Sequence, residues 1–166
     1  MTKIVYREAI LIKDAAKFSR MYIDYITELS EYSSRLSQLS TTEIKRDAIG
    51  YFEDGYYIPF IIEQNTETIG FFVIGKKENK HPDADNFLAE YYIIPKFRRQ
   101  GIGKDIAKRI LKQYGTKWSL FVLAENVQAY SFWESVINEI GSFIELKDVG
   151  ATPDDCIQIG IVVNKI

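Results

Sequence analysis

The stretch FRRQGIGKDIAKRI, Phe97–Ile110, sets two arginines and two glycines directly in front of a run with helical spacing. From Ile102 onward, Ile106, Ala107, Ile110, Leu111 and Tyr114 share one face of a 3.6-residue period, and Lys104, Lys108, Lys112 and Gln113 lie opposite. This predicts an amphipathic helix stopped by Gly115. A helix N-terminus offers unpaired backbone N–H groups at the positive end of its dipole, so an anion binds there without any special side chain. Glycine lets a ligand approach closely and accepts positive φ. Gly101 and Gly103 therefore suit a strand-to-helix pyrophosphate cradle, with Arg98, Arg99 and Lys104 adding charge-assisted contacts. A plain turn flanked by solvated cations fits the same residues. Two other phosphate motifs fail: Gly103-Lys104 is followed by Asp105 where a P-loop needs Ser or Thr, and the sixth position of a dinucleotide fingerprint counted from Gly101 is Ile106.

Outward from this segment the pattern alternates. Asn86–Ile94, NFLAEYYII, has the length and apolar character of a buried strand, and Trp118–Ala124, WSLFVLA, reads as another. Asn126 opens a second helix in which Ala129, Phe132, Trp133, Val136 and Ile137 keep helical spacing. Upstream, Tyr56–Gln64 and Ile69–Gly75 form a predicted hairpin through NTET, followed by a polar loop, KKENKHPDAD. Ile4–Ile12 reads as a first strand, and a helix from Asp14, capped by that residue, carries Ala15, Phe18, Met21, Tyr22, Tyr25, Ile26 and Leu29. Ser30–Gly55 is read as a loop and a short helix around Ile44, Ala48 and Tyr51, and two late strands lie near Ser142–Lys147 and Cys156–Asn164. That order implies one mixed α/β domain over residues 1–166, a sheet with helices on its faces.

Composition bounds the partners. With 166 residues, 46% hydrophobic and 27% charged, the chain is long enough for one cored domain and far from the disordered corner. Formal net charge is −2, yet Lys96–Lys117 holds eight Lys/Arg against one acid, a local balance of +7 that leaves −9 elsewhere. A concentrated positive segment in an otherwise acidic chain suits an anionic small molecule better than nucleic acid or membrane. Cys156 is the only cysteine, which excludes an internal disulfide and fits a reducing compartment, the cytoplasm. MTKIVYREAI lacks the apolar stretch of a secretory signal. His81, beside Pro82 in the polar loop, is read as solvated, and Cys156 as a small core residue with no histidine to activate it.

Arg98-Arg99-Gln100-Gly101-Ile102-Gly103 resembles the Arg/Gln-x-x-Gly-x-Gly/Ala loop of the GNAT N-acetyltransferases, and Asn126-x-x-Ala129-x-x-Phe132-Trp133 resembles that family's following helix. AEYYIIPKFRRQGIG and YYIPFIIEQNTETIGFFVI also look like a bacterial subgroup of predicted acetyltransferases; the likeness covers about two thirds of the chain and is weak over Ser30–Gly55. The resemblance implies a mostly antiparallel mixed sheet of about seven strands flanked by about four helices. It implies acetyl-CoA as acetyl donor, with no metal. NFLAEYYII and WSLFVLA would splay so that the pantetheine arm bonds to backbone around Tyr92, Ile93 and Ile94, and the diphosphate would meet the amides of Arg99 to Lys104. Asn126 would reach the pantetheine or thioester, or cap its helix, or both.

Acyl transfer to an amine needs a base, an oxyanion donor and an exit for thiolate. Glu90, a carboxylate within an apolar strand, is the candidate base, acting through water; a strand-end acid in an ion pair is the other reading. A backbone N–H near Ile94 would serve the oxyanion. Where the family often has a tyrosine as general acid this chain has Trp133, whose indole releases no proton at useful pH. Tyr130, about 60° away around the helix, is the candidate substitute; otherwise Trp133 packs against the pantetheine and thiolate leaves unassisted. The expected function is acetyl-CoA-dependent N-acetylation of a small-molecule or peptide primary amine by a monomer or homodimer. A non-catalytic acetyl-CoA-binding sensor is the alternative, and a nucleic-acid-binding basic helix fits the acidic remainder poorly. The groups Tyr22/Tyr25/Tyr32 and Tyr51/Tyr56/Tyr57 either line an acceptor pocket or belong to the core.

Overall fold

A computed structural model describes residues 2–76 and 81–165, so part of the expected polar loop, residues 77–80, lies outside the described residues. Among these residues seven strands form one sheet: β1 (Ile4–Glu8), β2 (Tyr57–Gln64), β3 (Glu67–Gly75), β4 (Asn86–Ile93), β5 (Lys117–Leu123), β6 (Gly141–Ile144) and β7 (Cys156–Val163). Their order across it is β1-β2-β3-β4-β5-β7-β6. Every neighbouring pair is antiparallel except β4 and β5. Among the described residues five α-helices flank the sheet, α1 (Leu11–Leu29), α2 (Ser34–Ser37), α3 (Thr41–Glu53), α4 (Ile102–Tyr114) and α5 (Val127–Ile140), against about four expected.

The helices divide between the two faces. One layer buries α1, α2 and α3 against Ile61, Phe71, Val73, Tyr92 and Leu123. The other buries α4 and α5 against Phe60, Ile62, Phe72, Ile93, Trp118 and Ile161. Alternation along the strands assigns each residue to a layer, as a period of two requires. Trp118 is fully buried, and its indole N–H donates to the Leu111 carbonyl at 3.0 Å, fastening β5 to the last turn of α4. Truncating it to alanine would cost about 3–5 kcal/mol. Among the described residues no helix is long and apolar enough to cross a membrane.

Three expectations need correction. The first strand ends at Glu8 and α1 begins at Leu11 after Ile10, so Asp14 lies inside the helix rather than at its cap. Burial explains the shift. Asp14 is fully buried; its carboxylate accepts from the Ile10 N–H at 2.8 Å and from both terminal nitrogens of Arg7 at 2.7 and 3.0 Å. The segment read as loop and short helix holds the 13-residue α3, started by a capping box between Ser40 and Glu43. His81 is buried, not solvated: its Nε2 meets the Lys147 carbonyl at 2.7 Å and its Nδ1 accepts from the Asp83 N–H at 3.0 Å.

Candidate active site

The parallel strands β4 and β5 pair only from Asn86/Trp118 to Leu88/Leu120. On its other edge β4 steps from Ile74/Leu88 to Val73/Glu90, so Ala89 is an extra residue with no partner on β3. Such a bulge bends the strand that carries it, and β4 leaves β5 beyond this point. The parting opens a cleft of about 1370 Å³ lined by both helical layers.

Side chains beyond the bulge alternate across the cleft. Tyr91 and Ile93 pack with the α4/α5 layer, whereas Tyr92 packs with α1 to α3; Glu90, two residues from Tyr92, faces the same way. The oxyanion donor is expected near Ile94; the Ile94 N–H itself is taken by the Ile69 carbonyl at 2.8 Å. Alternation then turns the N–H groups of Tyr91 and Ile93 toward the parted edge. The Tyr25 hydroxyl lies against the first of these, and the Ile93 N–H faces the opening.

After β4, a short 3₁₀ turn over Pro95–Phe97 leads into Arg99 (φ 60°) and Gly101 (φ 78°), both left-handed, and α4 starts at Ile102. The first helical bond runs from the Asp105 N–H to the Gly101 carbonyl at 3.0 Å, so the amides of Ile102, Gly103 and Lys104 precede any intrahelical acceptor. Arg99, Gly101, Gly103 and Lys104 line the cleft; Gln100 and Ile102 do not, the first bonding the Lys96 carbonyl at 3.3 Å and the second lying in the core. Arg98 forks onto Glu28 at 2.7 and 2.9 Å and gives its Nε to the Ile93 carbonyl at 2.7 Å. It thereby ties α1 to the loop. Lys104 pairs with Glu139 and Ser135, and Lys108 with Glu139, so one carboxylate of α5 holds two of the segment's eight cations. The Arg99 guanidinium makes no hydrogen bond or ion pair among the described residues. The Tyr91 hydroxyl donates to the Gly103 carbonyl at 2.5 Å, setting the distance between β4 and α4.

On α5, Asn126 caps the helix, its Oδ1 accepting from the Ala129 N–H at 3.1 Å. Trp133 is buried beside the cleft, edge-on to Tyr91 at 5.4 Å and Phe132 at 5.1 Å. Tyr130 packs into the α4/α5 core and is not among the cleft-lining residues.

Glu90 lies at the middle of the cleft wall. Its Oε1 accepts from the Tyr51 hydroxyl at 2.5 Å, and the Tyr25 hydroxyl reaches it as well. Desolvation pushes its carboxyl up to about 7, against the two hydroxyls, which pull it down. Tyr25 and Tyr51 are both held far above the ordinary phenol value, by burial first and by the Glu90 charge second, and so remain donors. Tyr51 comes from α3, the element with the weakest pattern in the sequence, and its role needed the α3 packing to be seen. Cys156, at the start of β7, lines the cleft half-buried, with desolvation raising its thiol to about 11.

The sequence profile of the acetyltransferase (GNAT) family matches residues 20–137. Among curated protein sequences none matches significantly. Solved structures are similar in fold. An acetyltransferase from Thermus thermophilus is 16% identical, with 98% of this chain and 100% of that one covered at a TM-score of 0.67. The spermidine N-acetyltransferase of Vibrio cholerae, solved with CoA and spermine, is 15% identical over 96% of this chain and 95% of that one, TM-score 0.64. The PaiA N-acetyltransferase of Thermoplasma acidophilum, solved with coenzyme A, is 15% identical over 96% and 99%, TM-score 0.61. A bulged β4 parting from β5, two left-handed residues before α4 and a profile match over most of the chain agree: the chain belongs to the GNAT family of acetyltransferases.

Proposed function

We propose that the protein is an acetyl-CoA-dependent N-acetyltransferase acting on a primary amine by direct attack, with Glu90 as the general base. The observation that carries this is the Glu90 carboxyl, raised to about 7 at the point where β4 and β5 part and held by Tyr51 and Tyr25. A base of that strength is half-ionised near neutral pH, where proton removal is most effective. Acetyl-CoA supplies a thioester whose carbonyl carbon forms the new C–N bond as its C–S bond breaks. Glu90 accepts the ammonium proton, directly or through water, and so frees the nitrogen lone pair. The Ile93 N–H, turned toward the opening, is suited to the oxyanion, and the amides of Ile102 to Lys104 with the Arg99 side chain suit a diphosphate. Trp133 and Phe132 offer apolar walls to the pantetheine end, and Tyr130, outside the cleft lining, takes no part in this chemistry. The thiolate then departs to solvent. The lone cysteine favours action in the cytoplasm.

A non-catalytic acetyl-CoA sensor is favoured by one feature, Trp133 where the family often has tyrosine, with no other cleft-lining hydroxyl on α5 except Ser131. Thiol release separates the two. With acetyl-CoA and a panel of primary amines the enzyme reading expects amine-dependent free thiol; binding of coenzyme A with no thiol from any amine would establish the sensor instead.

A further inference from the structure

The cleft has two ends. One lies at the α4 loop and α5, and the other, under α1, α2 and α3, is lined by Tyr22, Tyr25, Tyr32, Leu36, Leu39 and Ile44. This second end is almost wholly aromatic and aliphatic. Its charges are few and mostly answered within the fold. Glu28 is held bidentately by Arg98. Arg35, its cation, is paired with Asp155 at 2.9 Å. Asp155 also accepts from the Ser33 hydroxyl at 2.5 Å, so α2 is tied to the start of β7 and that end is bounded on both sides. Besides Glu90, the remaining carboxylate is Asp47, exposed at the rim, which makes no ion pair among the described residues.

A molecule with several ammonium groups spaced along a chain needs an unpaired carboxylate or an aromatic face for each charge, because an unanswered cation in an apolar pocket keeps its full desolvation cost. Glu90 is already committed to the reacting nitrogen, and Asp47, exposed at the rim, answers a cation in water outside the apolar end and not within it. The aromatic rings could hold a second cation, yet Tyr22 stacks on Phe18 and packs edge-on or tilted against Tyr25, Tyr51 and Phe71, and Tyr25 packs likewise against Phe71 and Tyr92, which leaves their edges and hydroxyls rather than open faces beside Glu90. The aliphatic wall of Leu36, Leu39 and Ile44 is suited to methylene or ring carbon.

We propose that the acceptor is a small primary monoamine with an extended apolar body, an arylalkyl or long alkyl amine, and not a polyamine. This rests on the acetyltransferase reading above. The amine end meets Glu90, and the apolar body lies along the α2/α3 wall, with Asp47 at the rim attracting the cation before entry.

The test is steady-state thiol release at saturating acetyl-CoA with propylamine, hexylamine, 2-phenylethylamine, putrescine and spermidine, and a tripeptide amide with N-terminal phenylalanine. Hexylamine and 2-phenylethylamine should exceed propylamine and spermidine in kcat/KM by at least about tenfold, since apolar groups in a fitted pocket discriminate on that scale. Leu39→Glu should lower kcat/KM for hexylamine by about tenfold or more and narrow its lead over spermidine; if that variant does not fold, the wild-type panel decides alone. Spermidine, putrescine or the peptide used as well as or better than hexylamine would overturn this proposal and leave the acetyltransferase reading intact. No thiol release with any amine would overturn both.

Discussion

Glu90 is held by two phenols from different helices, Tyr25 on α1 and Tyr51 on α3, and its basicity is set by their hydrogen bonds against desolvation. Removing the Tyr51 hydroxyl takes away a bond to the charged form, so Tyr51→Phe should raise the Glu90 pKa and move the acid limb of the pH–rate profile to higher pH. An unshifted limb would mean that Tyr51 only packs. The same carboxyl has a consequence for stability. Its pKa is raised on folding from 4.5 to about 7, so the folded state holds the proton more tightly, and that contribution is full below pH 4.5 and lost as pH rises through 7. Gln does not ionise. Glu90→Gln should therefore be more stable than wild type at pH 8 by up to about 3 kcal/mol, less whatever water in the open cleft screens, with no such gain at pH 4.5. Urea melts at both pH values measure this, and an equal effect at the two would contradict it.

At the scale of the element, the bulge in β4 and the turn before α4 do the positioning. Gly70 on β3 lies tight against β4: a Cβ there would sit 2.2 Å from the Tyr92 carbonyl oxygen, which is backbone and cannot swing away. Gly70→Ala should force β3 from β4 beside the cleft and give a net cost despite the ~0.5–1 kcal/mol that alanine gains over glycine by strand propensity, with lower thermal stability and weaker coenzyme A binding together. Gly101, left-handed at φ 78°, meets no atom within 4 Å, so a substitution there strains the backbone without a clash. The α4 loop and the α4 and α5 helices were legible in the sequence because their apolar spacing is strict and their boundaries carry glycine or asparagine. The α3 helix was not, although Ser40 and Glu43 stand three apart in a hydroxyl-rich run and form the box that starts it. Ser, Thr and Asn occur in loops for the same reason that they cap helices, so composition alone does not separate the two. Asp14 misled in the opposite way: it resembles a cap, yet the Arg7 guanidinium draws it inside, a pairing that needs the β1-to-α1 turn to be known.

Across the whole molecule the site is assembled by ties that no local pattern displays. Arg98 to Glu28 spans 70 residues, Tyr51 to Glu90 spans 39, and Ser33 to Asp155 spans 122. Two helical layers must seat on opposite faces of one sheet before the cleft between β4 and β5 has walls. The Arg7, Asp14 and Glu63 cluster fixes the α1 layer at the β1 edge. Salt-bridging and hydrogen bonds hold the buried Asp14 carboxyl down at about 2, so its contribution is present above pH 3.8 and lost as pH falls through 2. Asp14→Ala leaves Arg7 without its main partner and should cost about 3–5 kcal/mol at pH 7 by urea melts, a penalty that shrinks in acid. Because the ligand would bind only the folded chain, coenzyme A at about 1,000 times its Kd should add about 4 kcal/mol of stability, read as a rise in Tm. The most direct test is the pH dependence of kcat/KM for thiol release from acetyl-CoA with a good amine acceptor, measured from pH 5 to 9 on wild type and Glu90→Gln. The account predicts that wild-type activity climbs through an apparent pKa near 7, that the variant loses about 10²- to 10⁴-fold and that limb with it, and that coenzyme A affinity is unchanged. Superimposable profiles for the two proteins would contradict it.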